Sequence, residues 1–257
     1  MNALTQFEAA FAFRLATTPE ARDRAYALRH SVFRRELDYQ MSEDPAKRLE
    51  HDDYDRASLI VLLEHRASGL AAGCMRLVHP LEGASATLAR LPLEVHCRDS
   101  LTHPELHPER LPRGQICEIS RLAVPHYFRR QPSGDAPPTP PDSDYRFSAD
   151  ERRTFPLIGV GLFLAATALV GLSGHYHVFA MMQNRLPRLL AIYGLRFTCV
   201  GEPTVFHGQR RAFYIDQREA VASLQPSLHE LYRHIEGELA SQYARAATRG
   251  RAETNAN

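Results

Sequence analysis

The sequence predicts a mixed α/β (α+β) domain in which helices flank one central mixed β-sheet, and three observations carry that prediction. Short apolar runs of strand character alternate with segments of helical period. No segment repeats elsewhere in the chain, which excludes a solenoid. The length of 257 residues, 44% of them hydrophobic, is enough to bury a proper core.

The first expected element is a helix over residues 19 to 36, "PEARDRAYALRHSVFRRE", with Ala25, Leu28, Val32 and Phe33 on one stripe and the charges elsewhere. "SLIVLLEHR" then reads as a strand, and "GLAAGCMRLVHP" as its hairpin partner around Ser68 and Gly69. "ICEISRLAVP" is a third strand, ended by Pro125. Residues 129 to 150, rich in Pro, Ser, Asp and Gly, predict an insertion with no core of its own. "FPLIGVGLFLAATALVGL", residues 155 to 172, has eighteen positions without a charge and so meets the lower length limit for a membrane-spanning helix. Pro156, Gly159, Gly161 and Gly171 within it, and the strand-like "HYHVFAMM" after it, predict a buried helix instead. "HVFAMM" is the next strand, "NRLPRLLAIYGL" a helix closed by Gly194, and "RAFYID" a late strand after a turn at His207 and Gly208. The expected organisation is a main domain over 1–217 that includes the insertion, a helical appendage over 218–247 and a disordered tail over 248–257.

A net charge of +1 singles out neither a nucleic-acid binder nor a sink for acidic ligands. Cys74, Cys97, Cys117 and Cys199 are widely spaced, which argues against zinc ribbons and disulfide frameworks and fits a reducing compartment. The N-terminal stretch lacks the basic start and apolar run of an export signal, so the expectation is a cytoplasmic protein. His96, His103 and His107 have irregular spacing between prolines and read as loop histidines, so no metal site is expected. No G-x-S-x-G elbow supports hydrolase chemistry.

"EHDDYD", residues 50 to 55, sets four carboxylates and a histidine directly before a strand that must be buried. Taken alone, the cluster fits a solvated acidic loop as well as a site. In order along the chain, Arg29 and Phe33 form R-x-x-x-F; Glu50, Asp52 and Asp55 form E-x-D-x-x-D; Arg76 sits in "RLVHP"; and Glu118, Ser120 and Arg121 form E-x-S-R. This series, spread over about ninety residues, resembles the acyl-homoserine-lactone (autoinducer) synthases of the GCN5-related N-acyltransferase (GNAT) superfamily. The second half, from "HVFAMM" onward, resembles the acyltransferases associated with the PEP-CTERM/exosortase system.

The resemblance implies a GNAT-like fold and transfer of a fatty acyl group from a thioester to the amine of a small acceptor. It implies that Arg29, Phe33, Tyr39, Glu50, Asp55, Arg76 and Ser120 surround the acceptor, and that Asp52, Glu118 and Arg121 serve catalysis. An α-amine with a pKa near ~8 costs only about 1 to 1.5 kcal/mol to deprotonate at neutral pH, so one positioned base suffices, and Glu118 is the candidate. Guanidinium forks on Arg29 and Arg121 can fix the carboxylates, a pairing that equally fits a structural ion network. Strand alternation puts Glu118 and Ser120 on one face and Arg121 on the other, unless the strand bulges there as it does in this fold family. Backbone N–H groups of the same splayed strand are the expected oxyanion donors.

On the donor side, the resemblance expects a phosphate cradle at a helix N-terminus. Gly159 and Gly161 remain of it, and Pro156 stands at the basic position. This favours acyl carrier protein (ACP) over acyl-CoA as the thioester donor, with Arg152 and Arg153 among the arginines that meet its acidic surface. No permanently bound cofactor is expected. Leu162, Phe163, Leu169, Phe179, Met181 and Met182 are candidates for an acyl tunnel, although core packing also explains them. The chain has no tryptophan, and Tyr39 falls where S-adenosylmethionine-dependent relatives carry one. That shifts the expected acceptor to an amino acid, as in N-acyl amino acid synthases. A lactone synthase using S-adenosylmethionine and a non-catalytic carrier- or lipid-binding module stay open, as does peripheral membrane contact by a protein with an amphiphilic product.

Overall fold

The computed structural model describes residues 3–254, apart from 82, 84, 130–139 and 141–142. The chain opens with α1 (Ala3–Ala10) and β1 (Phe11–Leu15). In α2 (Pro19–Arg29), Thr18 caps the N-terminus by accepting the Ala21 N–H at 3.2 Å, and Pro19 fixes the first turn. α2 runs directly into a π-helical stretch, His30–Glu36, a rare geometry that recurs at functional sites. The short strands β2 (Glu43–Asp44) and β3 (Leu49–Glu50) pair with each other. After a 3-10 turn at Asp53–Ala57 come β4 (Leu59–His65), β5 (Ala71–Val78), α3 (Pro92–His96) and β6 (Ile116–Ala123). The second half holds α4 (Ala149–Thr154), α5 (Leu157–Ser173), β7 (His177–Met182), α6 (Arg185–Ala191), β8 (Thr198–Cys199), β9 (Thr204–Val205), β10 (Gln209–Asp216), α7 (Gln217–Ala222) and α8 (His229–Thr254).

The main sheet has the order β1-β4-β5-β6-β7-β10-β8, with β9 on β10, and only β6 and β7 run parallel. One face is covered by α5, which is apolar all round because the sheet lies on one side of it and α8 on the other. The other face is covered by α2, whose Ala25 and Leu28 pack with Val32, Phe33, Ile60 and Leu62, and by the segment around Leu91 and Leu93. No helix among the described residues is long and apolar enough to cross a membrane.

Two features of the sheet create the site. β6 and β7 pair only over Ile116–Glu118 and His177–Phe179, yet both strands run on, so they part and leave backbone groups unpaired in a cleft. Between β5 and β6 the register slips: Arg76 pairs with Ser120, but Cys74 pairs with Ala123, which inserts one extra residue in β6. Arg121 lies in that bulge with a φ of 56°, in the left-handed region that a non-glycine residue enters only at a cost.

Several sequence expectations change. α1 and β1 were not foreseen, and β1 extends the sheet beyond β4. Of the insertion expected over 129–150, residues 130–139 and 141–142 lie outside the described residues. Its last part is not core-free: Phe147 is buried among Phe128, Phe155 and His65. The segment 218–247, expected as an appendage, contributes Leu231, Tyr232, Ile235 and Leu239 to the main core. Glu238 and Gln242 of α8 also accept the β1 N–H groups of Phe13 and Leu15, at 3.0 and 2.9 Å. Helix α8 itself continues to Thr254, past the start of the tail expected from 248.

Candidate active site

The acidic motif is a folded unit. Asp52 caps the 3-10 turn by accepting the Tyr54 N–H at 3.0 Å, and Asp55, three residues on, accepts the Asp52 N–H at 2.9 Å. This reciprocal cap turns both side chains toward the sheet, while Glu50 arrives from β3 with no exposed surface.

Three arginines meet these three carboxylates, each from a different element. Arg29, at the end of α2, donates from Nε to Glu50 at 2.5 Å and from Nη1 and Nη2 to the two Asp55 oxygens at 2.7 and 2.9 Å. Arg76, on β5, donates from Nη1 to Asp52 at 2.6 Å and approaches Asp55 at 3.1 Å, while its Nε donates to Ser120 Oγ. Arg121, from the bulge, donates from Nε to Glu50 at 3.1 Å and from Nη2 to Asp52 at 2.8 Å. Each arginine therefore holds two carboxylates and each carboxylate two arginines, in a closed alternating ring of no net charge. Arg29 and Arg76 hold the Asp55 carboxyl well below its usual range against the opposing effect of burial. The Asp55 and Glu50 carboxylates in turn keep the Arg29 guanidinium firmly charged.

The bulge resolves the alternation conflict in the sequence. It turns Arg121 into the ring while Glu118 and Ser120 remain on the same side of β6. Asp52 and Arg121 are the ring members with appreciable side-chain exposure, 21% and 15%, and with Arg76 they border a cavity of about 90 Å³. Glu118 lines the same cavity, with Leu93, His96, Cys97, Met181 and Arg210. Its Oε2 accepts the Leu93 N–H at 2.7 Å, and burial pushes its carboxyl up to about 7 against the pull of that hydrogen bond, Arg76 and Arg121. The result is a carboxylate that titrates where a general base at neutral pH should.

The cavity adjoins a larger cleft of about 250 Å³ where β6 and β7 part. Phe33, Tyr39, Met75, Ile119, Phe163, Met181 and Met182 line it. Tyr39 stacks with Phe33 and with His207, with ring centroids 6.2 and 4.9 Å away, and lines the cleft beside them. A smaller apolar space behind Phe163 and Ile119 is bounded by Val170, Val178 and Phe197.

Not every sequence candidate reaches the cleft. Leu162 and Leu169 are packed in the main core, and Phe179 belongs to the cluster on the opposite face with Tyr214 and Leu93. Gly161 is a packing glycine, since a Cβ there would lie 2.9 Å from the Phe7 ring; Gly159 has open space around it. Pro156 caps α5, and the Phe155 carbonyl already accepts the Ile158 N–H there. Arg152 donates to the Phe147 carbonyl and Arg153 pairs with Asp150, and neither borders the cleft. No group of three or more His, Cys, Asp or Glu among the described residues is arranged to hold a metal ion.

Sequence reasoning missed Phe206, His207 and Arg210, which border both the cleft and, except for His207, the smaller cavity. A signal for Arg210 was present. Counting back by twos from Tyr214 and Ala212 puts Arg210 on the inward face of β10, where an arginine is unusual.

Comparisons with known proteins show what the chain is similar to. Residues 28–135 match the family model described as the Acetyltransferase (GNAT) domain. The acyl-homoserine lactone synthase LasI aligns with a TM-score of 0.55 at 13% identity, over 84% of this chain and 96% of that one. FeeM, an N-acyl amino acid synthase from uncultured soil microbes, aligns with a TM-score of 0.54 at 13% identity, over 83% and 94%. BjaI, a CoA-dependent acyl-homoserine lactone synthase solved with SAM and isopentyl-CoA, gives 0.55 at 16% identity, over 89% of each chain. At such identities the likeness is one of fold. No curated protein matches the chain.

Proposed function

We propose that this chain, an enzyme of the GNAT acyltransferase type, moves a fatty acyl group from a thioester to the amine of a small amino acid, making an N-acyl amino acid. The observation that carries the reading is Glu118, a buried carboxylate titrating near neutrality, in the wall of a small cavity that adjoins an apolar cleft.

The acceptor's ammonium enters the small cavity and gives its proton to Glu118, directly or through a water. The freed nitrogen attacks the thioester carbon, the N–C bond forms, and the carbonyl oxygen becomes an oxyanion. Unpaired backbone N–H groups on the parted edges of β6 and β7 are suited to stabilise it. Collapse of the intermediate breaks the C–S bond, and the thiolate leaves as a thiol with the proton lost by nitrogen. The apolar cleft of Phe163, Met75 and Met182 receives the acyl chain, and methionine side chains adapt to such a flexible guest.

Two features support acyl carrier protein over coenzyme A as the preferred donor. Pro156 stands where a pyrophosphate ligand is expected, and Gly161 is taken up by Phe7. For the acceptor, Tyr39 offers a smaller stacking surface than tryptophan and already stacks with Phe33 and His207. A lactone synthase using S-adenosylmethionine is the second reading, favoured by the ring of Arg29, Glu50, Asp52, Asp55, Arg76 and Arg121 that answers the motif series of those enzymes. Mass spectrometry of the lipids that accumulate on expression in a clean host decides between them: N-acyl amino acids support the proposal, and acyl-homoserine lactones overturn it.

A further inference from the structure

Arg210 stands apart from the other cations of the site. Arg29, Arg76 and Arg121 are each held by two carboxylates, whereas Arg210 has no carboxylate partner among the described residues. Its hydrogen bond is a long one, 3.5 Å, from Nη2 to the His207 carbonyl, and its Nε is buried without a partner. A buried guanidinium nitrogen without an acceptor costs free energy, so the arrangement calls for an anion that the protein itself does not supply.

A second cation bordering the same cavity carries the same mark. Arg76 is 1% exposed and satisfied at Nε and Nη1, but its Nη2 has no partner. Arg76, Arg210 and Glu118 all line the cavity of about 90 Å³. Two arginines, each with a guanidinium nitrogen that lacks an acceptor, and one carboxylate with proton affinity near neutrality thus border one small space. That is the inverse pattern of an α-amino acid, which carries a cation and an anion on a single carbon.

We propose that Arg210, assisted by the positive charge of Arg76, binds the acceptor's α-carboxylate and so restricts the enzyme to acceptors with a free carboxylate beside the amine. This rests on the reading of the cavity as the acceptor subsite. Holding the carboxylate there turns the amine toward Glu118 and the thioester, which makes Arg210 a specificity-determining residue of the transfer. The planar fork suits a carboxylate better than an ammonium would.

The test uses the full chain, an acyl carrier protein donor and the twenty standard amino acids, each beside its primary amide. Wild type should acylate at least one amino acid and discriminate against the matching amide by about a hundredfold or more in kcat/KM, because the amide leaves the buried cations unpaired. Arg210→Met should reduce the rate with the acid and bring the acid-to-amide ratio close to one, with the donor KM unchanged. Arg210→Lys should recover part of the preference. Because Arg210 has no carboxylate partner to orphan, both variants should melt with wild type, and a third variant, Arg210→Gln, guards against a packing fault. An unchanged acid-to-amide ratio in Arg210→Met overturns the proposal, as does a rise confined to the donor KM. Failure of wild type to acylate any amino acid while it acylates S-adenosylmethionine, which also carries a free carboxylate beside its amine, would instead remove the acceptor reading beneath the proposal, and the proposal would then stand or fall on the ratio between S-adenosylmethionine and its carboxamide in wild type and Arg210→Met.

Discussion

Arg121 Nη2 lies 2.8 Å from Asp52 Oδ2, and it gets there only because the Arg121 backbone adopts a φ of 56°. Regular pleating would point this side chain to the other face of the sheet, so the bulge and the contact are one feature. Asp38, Arg48 and His207 also have positive φ, and each lines the cleft or lies within two residues of a cleft or ring residue. Backbone strain of about 1 to 3 kcal/mol per residue concentrated at one place is characteristic of sites that hold side chains against local preference.

Replacing Arg121 by Lys keeps the charge but not the fork. A single ammonium cannot hold Glu50 and Asp52 in the same geometry, so kcat/KM should fall at least about tenfold while the charge count stays the same. Steady-state kinetics beside circular dichroism checks this, and wild-type rates would show that the fork has no part in turnover.

Glu118→Gln tests the base. In wild type, kcat/KM should rise with pH through an apparent pKa near 7, and the variant should lose that limb along with about 10²- to 10⁴-fold of rate. Stability gives an independent readout. Because the folded pKa is raised above the unfolded value of 4.5, the folded state holds the proton more tightly, and wild-type stability falls as pH rises from about 4.5 to about 7. Glu118→Gln should escape that fall, so its melting temperature relative to wild type should be higher at pH 8 than at pH 5.

Asp55 and Asp52 should differ in cost when each is replaced by Asn. Asp55 is fully enclosed by Arg29 and Arg76, so Asp55→Asn leaves buried cations short of charge and should cost about 3 to 5 kcal/mol in urea unfolding. Asp52 is partly exposed, and its replacement should cost less. Asp55 has a depressed folded pKa, so its contribution is present above about pH 4 and lost as pH falls below it; Asp55→Asn should flatten the acid limb of the stability profile.

The donor preference is expected to depend on salt. Acyl carrier protein brings an acidic surface, and pairs between exposed charges are screened beyond about 8 Å at physiological ionic strength. Its kcat/KM should exceed that of the matching acyl-CoA at low salt, and the advantage should shrink as salt rises. Equal use of both donors at all ionic strengths would mean that Pro156 has been misread.

Much of the architecture was legible because its long elements carry clean periodicity. The π-continued helix with Ala25, Leu28, Val32 and Phe33, the hairpin at Gly69 and the closure of α6 by Gly194, with a φ of 95°, all follow local rules. β1 escaped because "FAFRL" is five residues long, and its identity as a strand comes from pairing with β4 and from the side chains of α8. Phe147 escaped because composition averaged over the insertion hides a single anchoring ring. At the site, the motif series identified all six members of the ring. It could not reveal that they close on one another, since closure depends on a one-residue slip between β5 and β6. Arg210 was legible only through its parity with Ala212 and Tyr214.

An alternating hexad of three cations and three anions has no monopole, so its field dies away more steeply than that of a lone ion. A base placed beside such a hexad is governed mainly by the low polarizability of its own surroundings, which is how Glu118 can hold a proton affinity near neutrality within reach of Arg76 and Arg121. The same cancellation makes the hexad a poor attractor of bulk counterions. Its own geometry should therefore be indifferent to ionic strength, even where the docking of a charged donor is not.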